Sequence, residues 1–142
     1  MKKYKYKYLC EGESEQKFIK VLKENNLLIS AKVEVFNISN KDIKSIIRKC
    51  TRGDFWIFIV DIDVFNSDLF CKNIKLLHKN RCKFCIIFQN KNLEDEIIRC
   101  CDVSNEIDLF RKFYTVTSAT EFKNRLIKDN SLYSKLKGII SI

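Results

Sequence analysis

Two aspartates, Asp61 and Asp63, close the unbroken apolar run Phe55–Val60. They stand two positions apart, so in extended chain both carboxylates project to the same side. Two such charges held close repel each other, and taking them out of water is costly unless something compensates. A divalent cation that prefers oxygen ligands, Mg2+ or Mn2+, is the compensation that carboxylate pairs most readily take. A second acidic group lies about fifty residues earlier, in Cys10-Glu11-Gly12-Glu13-Ser14-Glu15. A third, Glu94 to Glu96, lies in the segment NLEDEIIRCC at 92–101. The plainer reading of the aspartate pair is a strand end with two solvated side chains.

The elements that must position these groups follow from periodicity. Phe55–Asp61 is short, aromatic and β-branched without alternation, as in a strand buried on both faces. A first strand is expected at about 3–10, where Lys alternates with Tyr before the chain turns apolar. Gly12 then permits a tight turn, Ser14 is a candidate N-cap, and a helix runs to about Asn25. Its inward face is expected to be Phe18, Ile19, Val21 and Leu22. Lys32–Ile38 reads as a second strand and Asp42–Thr51 as a helix. After the central strand, Ser67 and Asp68 can cap a helix over Leu69–Lys79, and Lys83–Gln89 reads as a fourth buried strand. Helices are expected over Leu93–Cys101, Ala119–Ile127 and Leu132–Leu136, with a short strand at Phe113–Val116.

Strands that alternate with helices through the first ninety residues make βαβ units and a mainly parallel sheet. The expected fold class is therefore α/β: a central, mainly parallel four-stranded sheet flanked by helices. Sites in such sheets form beyond the carboxyl ends of the strands. Glu11 and Glu13, Asp61 and Asp63, and Glu94 all follow strands, so they fall on one edge. Residues 1–142 read as one domain, with a core at about 3–92 and a helical extension at about 93–142. That extension is expected to cover the sheet or to meet a second copy or a partner subunit.

Composition bounds the partners. The chain has 142 residues, 46% hydrophobic and 32% charged, which suits one folded core. Its net charge of +9 and pI of about 9.2 favour a polyanion, with DNA or RNA first. Part of the excess reflects a Lys-, Ile- and Asn-rich composition without proline, as an A/T-rich genome writes. No apolar run approaches the ~20 residues of a membrane span, and the basic N-terminus lacks the apolar region of a secretory signal. Seven irregularly spaced cysteines form no disulfide framework and fit a reducing cytoplasm. The Cys82–Cys85 pair stands alone at a strand start and reads as structural. His78, the sole histidine, complements a helix end.

An apolar strand, Glu11-Gly12 opening a helix, and a second apolar strand ending Asp61-Ile62-Asp63 together resemble the Toprim domain of topoisomerases, bacterial primases and the OLD- and RloB-type nucleases. The run from Cys10 to Glu15 looks most like the nuclease branch, whose first motif often reads EGxxE. The resemblance covers about residues 3–92 and implies a Rossmann-like Toprim fold. Phe65 stands where some Toprim proteins carry a third Asp, and no ATPase domain accompanies the motifs. The resemblance implies a Mg2+-dependent nuclease, with defence against phage or mobile elements as its setting. Asp61 and Asp63 would be the main metal ligands, and Glu11 a general acid/base or further ligand. Glu15 and Glu94 would be candidates for a second metal. Lys17, Lys91 and Arg99 would hold the nucleic-acid backbone. No nucleophilic tyrosine is identifiable, which disfavours strand passage.

Two other readings stay open. A degenerate module of the same fold would bind nucleic acid or a protein partner without turnover. A haloacid-dehalogenase-like phosphatase also places DxD after an apolar strand, with Asp61 as nucleophile, but Phe65 occupies a position where that family carries Thr or Val.

Overall fold

The computed structural model describes residues 3–62, 65–89, 92–100 and 104–139. Four strands, β1 (Lys5–Cys10), β2 (Lys32–Val35), β3 (Asp54–Asp61) and β4 (Lys83–Gln89), form one sheet in the order β2-β1-β3-β4. Every neighbouring pair is parallel. Helices α1 (Glu13–Glu24) and α2 (Ser67–Lys79) flank it. Helices α3 (Leu93–Cys100), α4 (Glu106–Tyr114), α5 (Ala119–Lys128) and α6 (Leu132–Ile139) complete the chain. This is the Rossmann-like α/β architecture that the strand–helix alternation predicts.

Strand β3 explains its own composition. Trp56, Phe58 and Val60 pack into one core with Leu9, Phe36 and Leu77. Ile57 packs into the opposite core with Tyr8, Cys10 and Ile19. Successive residues point to opposite faces, and both faces are covered, so polar residues are excluded until the strand ends. Strand β4 departs from the expected two-sided burial. It is an edge strand, and Ile87 and Phe88 are each 50% exposed.

Other boundaries differ for local reasons. Asp42–Thr51 forms two 3-10 turns, Ile43–Ser45 and Ile47–Lys49, rather than one helix. The short strand expected at Phe113–Val116 is the end of α4, which stops at Thr115 in the left-handed region. An apolar helical core takes up its aromatic and β-branched residues, and Phe113 and Val116 are both buried there. Ser14 is not the N-cap of α1; Gly12 is, in extended backbone that needs no glycine. A Cβ at position 12 would meet the Glu15 carboxylate at 3.0 Å, a tight contact that this flexible side chain can relieve by a small shift. Asn66 caps α2, accepting from the Leu69 N–H at 3.2 Å.

Helices α3 to α6 build a core of their own around Leu109, Phe122, Leu126 and Leu132. Val21 is buried in that core and Phe18 packs on it, whereas Ile19 faces the sheet. Helix α1 is therefore sandwiched, and the C-terminal extension covers α1 rather than the sheet itself. Asp129 is a hub in this unit. Its carboxylate accepts from the Ser131 hydroxyl at 2.7 Å, the Ser131 N–H at 2.8 Å, the Tyr114 hydroxyl at 2.8 Å and the Lys135 amine at 3.0 Å. Burial pushes its pKa upward, but these donors outweigh it and hold the group at about 2.

Buried Asn73 ties α2 to the segment that follows β2. Its amide donates to the Ile38 and Lys41 carbonyls, both at 2.7 Å, and accepts from the Ile43 N–H at 3.0 Å. Asn73→Leu strands the buried Ile38 carbonyl and Ile43 N–H, frees the part-buried Lys41 carbonyl, and should cost about 3 kcal/mol, read by urea unfolding. Asp129 contributes stability that is complete above the ordinary aspartate pKa near 4 and is lost as pH falls toward 2. Asp129→Asn should therefore lower Tm at pH 7 and flatten the fall in Tm between about pH 4 and 2.

Candidate functional site

The expected convergence of β1 and β3 is realised through a specific bond. The two strands are neighbours, with Cys10 in register with Ile59. Just past their ends the Glu11 carboxylate accepts from the Asp61 backbone N–H at 3.0 Å. A carboxylate that closes a strand end in this way fixes the separation of the two acidic positions. Asp61 is 7% exposed and follows Ile57 and Ile59 on the face toward α1.

A cleft of ≈ 420 Å³ opens at this edge. Glu11, Gly12, Glu13 and Glu15 line it from the start of α1, Asp61 from β3 and Asn37 from beyond β2. Thr120, Lys123 and Asn124 of α5 close the other side. The carboxyl ends of three strands thus meet one face of a C-terminal helix. Glu15 is buried, at 4% exposed, and its carboxylate accepts from the Ser14 hydroxyl at 3.1 Å.

Glu94, at the start of α3, is 2% exposed. Its carboxylate faces the Lys123 ammonium at 3.5 Å, an ion pair too long for a strong hydrogen bond. Burial pushes the Glu94 pKa up and the Glu15 charge adds to the effect, while Lys123 opposes both. Burial alone would lower the Lys123 pKa, but Glu94, Glu15 and Asp61 outweigh it and raise it. One ammonium therefore pairs with Glu94 and partly offsets the field of Glu15 and Asp61. Cys10, beneath them, is buried, and burial with the Glu15 charge pushes its thiol up to about 12. It is no nucleophile at neutral pH.

Of the residues expected at the site, Glu11, Glu15 and Asp61 share the cleft, and Glu94 reaches it through Lys123. Asp63 and Lys91 lie outside the described residues. Lys17 is half-buried on α1 and Arg99 is exposed on α3; neither lines the cleft. Among the described residues no three carboxylate, thiol or imidazole groups close on one point as a metal site. The donor set is nonetheless of hard oxygens, and among the described residues neither buried oxygen of Glu94 makes a hydrogen bond, which suits Mg2+ chemically. Lys123, Asn37 and Asn124 carry no signal in the sequence that would place them here. Lys123 sits one position after buried Phe122 in an amphipathic helix, where a lysine reads as solvated.

Removing Lys123 tests the electrostatic account. Lys123→Met leaves Glu94 and Glu15 without their counter-charge and pushes the Glu94 pKa higher still. A carboxyl whose folded pKa is raised loses stability as pH rises. The variant should match wild type near pH 4 and fall behind by about 1 kcal/mol at pH 7, the outer, exposed part of Lys123 limiting the effect. Thermal unfolding across that range checks it, and Glu94→Gln in the same background should restore the loss. No family model, no curated protein and no solved structure matches this chain.

Proposed function

We propose that this chain is a Mg2+-dependent nuclease of the Toprim type that hydrolyses phosphodiester bonds in DNA or RNA. The observation that carries the reading is the bond from the Asp61 N–H to the Glu11 carboxylate, which holds the two motif acids at the ends of adjacent parallel strands. Glu11, Glu15 and Asp61 supply oxygen ligands around one cleft, and Asp63 is the further ligand that the motif implies. Bound there, Mg2+ or Mn2+ supplies charge neutralisation on the phosphate and orients the attacking water. Glu11, held at the cleft by the Asp61 N–H, is the group that takes or returns a proton. Lys17, Arg99 and Lys91 hold the backbone as point charges. A cytoplasmic setting, action against phage or mobile elements, and assembly with a second copy or partner subunit belong to the same reading.

Lys123 favours a second reading. An ammonium already pairs with Glu94 and partly offsets Glu15 and Asp61, so part of the acidic charge is compensated without a metal, which suits a non-catalytic module of the same fold. The two readings separate on turnover. The nuclease should cut plasmid, single-stranded DNA or RNA with Mg2+ or Mn2+ and stop in EDTA. Asp61→Ala/Asp63→Ala and Glu11→Gln should each cut at least about 10²-fold more slowly. Cleavage that survives these changes sinks the nuclease; binding without any cleavage selects the module. Release of inorganic phosphate from small esters, abolished by Asp61→Asn, would instead select the phosphatase.

A further inference from the structure

The opposite end of the sheet carries the reverse charge. Two grooves lie along the amino ends of the strands. One spans the starts of β1 and β2 and is lined by Lys3, Lys5, Lys23 and Lys32, with Tyr4 and Tyr6 between them. The other spans the starts of β3 and β4 and is lined by Arg52, Arg81 and Lys83. No acidic side chain lines either groove among the described residues. The cleft at the carboxyl edge has the contrary lining, with Glu11, Glu13, Glu15 and Asp61 against Lys123.

The two grooves are joined. The Lys5 N–H donates to the Gly53 carbonyl at 2.8 Å, which sets the β1 start beside the loop before β3. Lys83 donates to the Tyr4 hydroxyl at 2.7 Å and lies 4.6 Å from the Tyr4 ring centre. Tyr4 contacts Tyr6 and Phe55 in turn, with ring centres 6.3 and 5.8 Å away. A half-buried aromatic step therefore connects the basic groups of β1 to those of β4. Two carboxylates nearby are engaged: Glu34 faces Lys32 at 3.1 Å, and Asp54 accepts from the Thr51 N–H and hydroxyl at 2.8 and 2.9 Å.

Helix polarity accounts for only part of this stripe. The carbonyl ends of α1 and α2 point to the same edge, and Lys23, His78 and Lys79 in their last turns answer those dipoles. Lys3, Lys5, Arg52 and Lys83 lie on strand starts and loops instead. Arg81 is the telling case. It follows α2 at φ 56, with the Cys82 N–H donating to the Leu77 carbonyl at 3.0 Å. Glycine or asparagine normally fills that left-handed position, because a Cβ there is strained. Thr115 takes the same left-handed backbone after α4, so the strain alone assigns no role; what sets Arg81 apart is its exposure beside Arg52 and Lys83.

We propose that the amino edge of the sheet is a docking surface for the phosphodiester backbone of a single-stranded nucleic acid, separate from the carboxylate cleft. Four strands at about 4.8 Å spacing put about 14 Å between β2 and β4. A single strand laid across that span presents more than one phosphate to the stripe. Cations across the stripe meet successive phosphates, and Tyr4 offers an apolar step between them. The inference shares the nucleic-acid partner of the proposed function but needs neither the metal nor turnover.

The test is fluorescence anisotropy of a labelled oligonucleotide about 20 nucleotides long, as DNA and as RNA, in EDTA across a salt series. Taking one cation away from a phosphate weakens binding about fivefold at about 0.1 M salt and flattens the salt slope by about 0.7. Arg52→Gln/Arg81→Gly/Lys83→Gln should therefore bind on the order of 10²-fold more weakly, with the slope flatter by about 2. Arg81→Gly alone should bind about fivefold more weakly while its Tm holds or rises, since glycine relieves the strained turn. Arg111→Gln/Arg125→Gln/Lys128→Gln removes as much charge from the C-terminal helices and should bind close to wild type. The proposal is overturned if the stripe variant binds like wild type, if the control loses as much, or if wild type binds neither oligonucleotide. Wild type that binds in this way yet never cuts with Mg2+ removes the nuclease and leaves the surface standing.

Discussion

Burial of β3 on both faces is the constraint from which the rest of the molecule follows. The strand lies between β1 and β4 in an all-parallel sheet, with Trp56, Phe58 and Val60 in one core and Ile57 in the other. Parallel strands cannot be joined by tight turns; each connection must cross a face, and the crossing segments supply the cover. Along β3, charged side chains are thereby confined to the two ends of the strand, Asp54 and Asp61. Asp61 is the first polar side chain past the apolar run, and the Glu11 carboxylate meets its backbone there. A polar residue placed earlier in β3 would lie in a dry core at a cost of several kcal/mol.

Confinement to the ends gives the sheet an electrical polarity. Carboxylates gather at the carboxyl edge, within the cleft closed by α5. Lysines and arginines gather at the amino edge, along the two joined grooves. The net charge of +9 is therefore not a uniform coat. A polyanion meets repulsion at one end, softened by Lys123, and attraction at the other. For the proposed nuclease this separates the holding of a long strand from its cutting, and a bound metal ion would be what reverses the field at the cutting edge.

The helical extension changes the character of the acidic edge. Its core of Leu109, Phe122, Leu126 and Leu132 packs against Phe18 and Val21, on the side of α1 away from the sheet. That docking brings α5 over the start of α1 and Lys123 within reach of Glu94, Glu15 and Asp61. The carboxylate edge of a bare sheet would face water. Here it faces a helix, and the stability of that helical unit, including the Asp129 hub, becomes part of the site's electrostatics.

The sheet and its acidic edge were legible in the sequence because local rules suffice for them. A short, aromatic and β-branched apolar run that ends in aspartates reads as a covered strand with its charges at the end, and strand–helix alternation points to parallel pairing. Glu11 and Asp61 follow directly from their places after strands. Other features needed the folded chain, because they depend on residues distant in sequence. Phe113–Val116 has the composition of a strand and becomes the end of a helix because Phe110 and Phe122 complete its core. Gly12 reads as a turn residue and proves to be the N-cap of α1, close to the Glu15 carboxylate. Lys123 reads as one more solvated lysine in a basic chain, and only the packing of α5 on α1 makes it the counter-charge of the cleft. Local pattern dictates which residues carry charge and where strands must end. Which charges then face one another is a matter of how the helices dock, and no local pattern carries that.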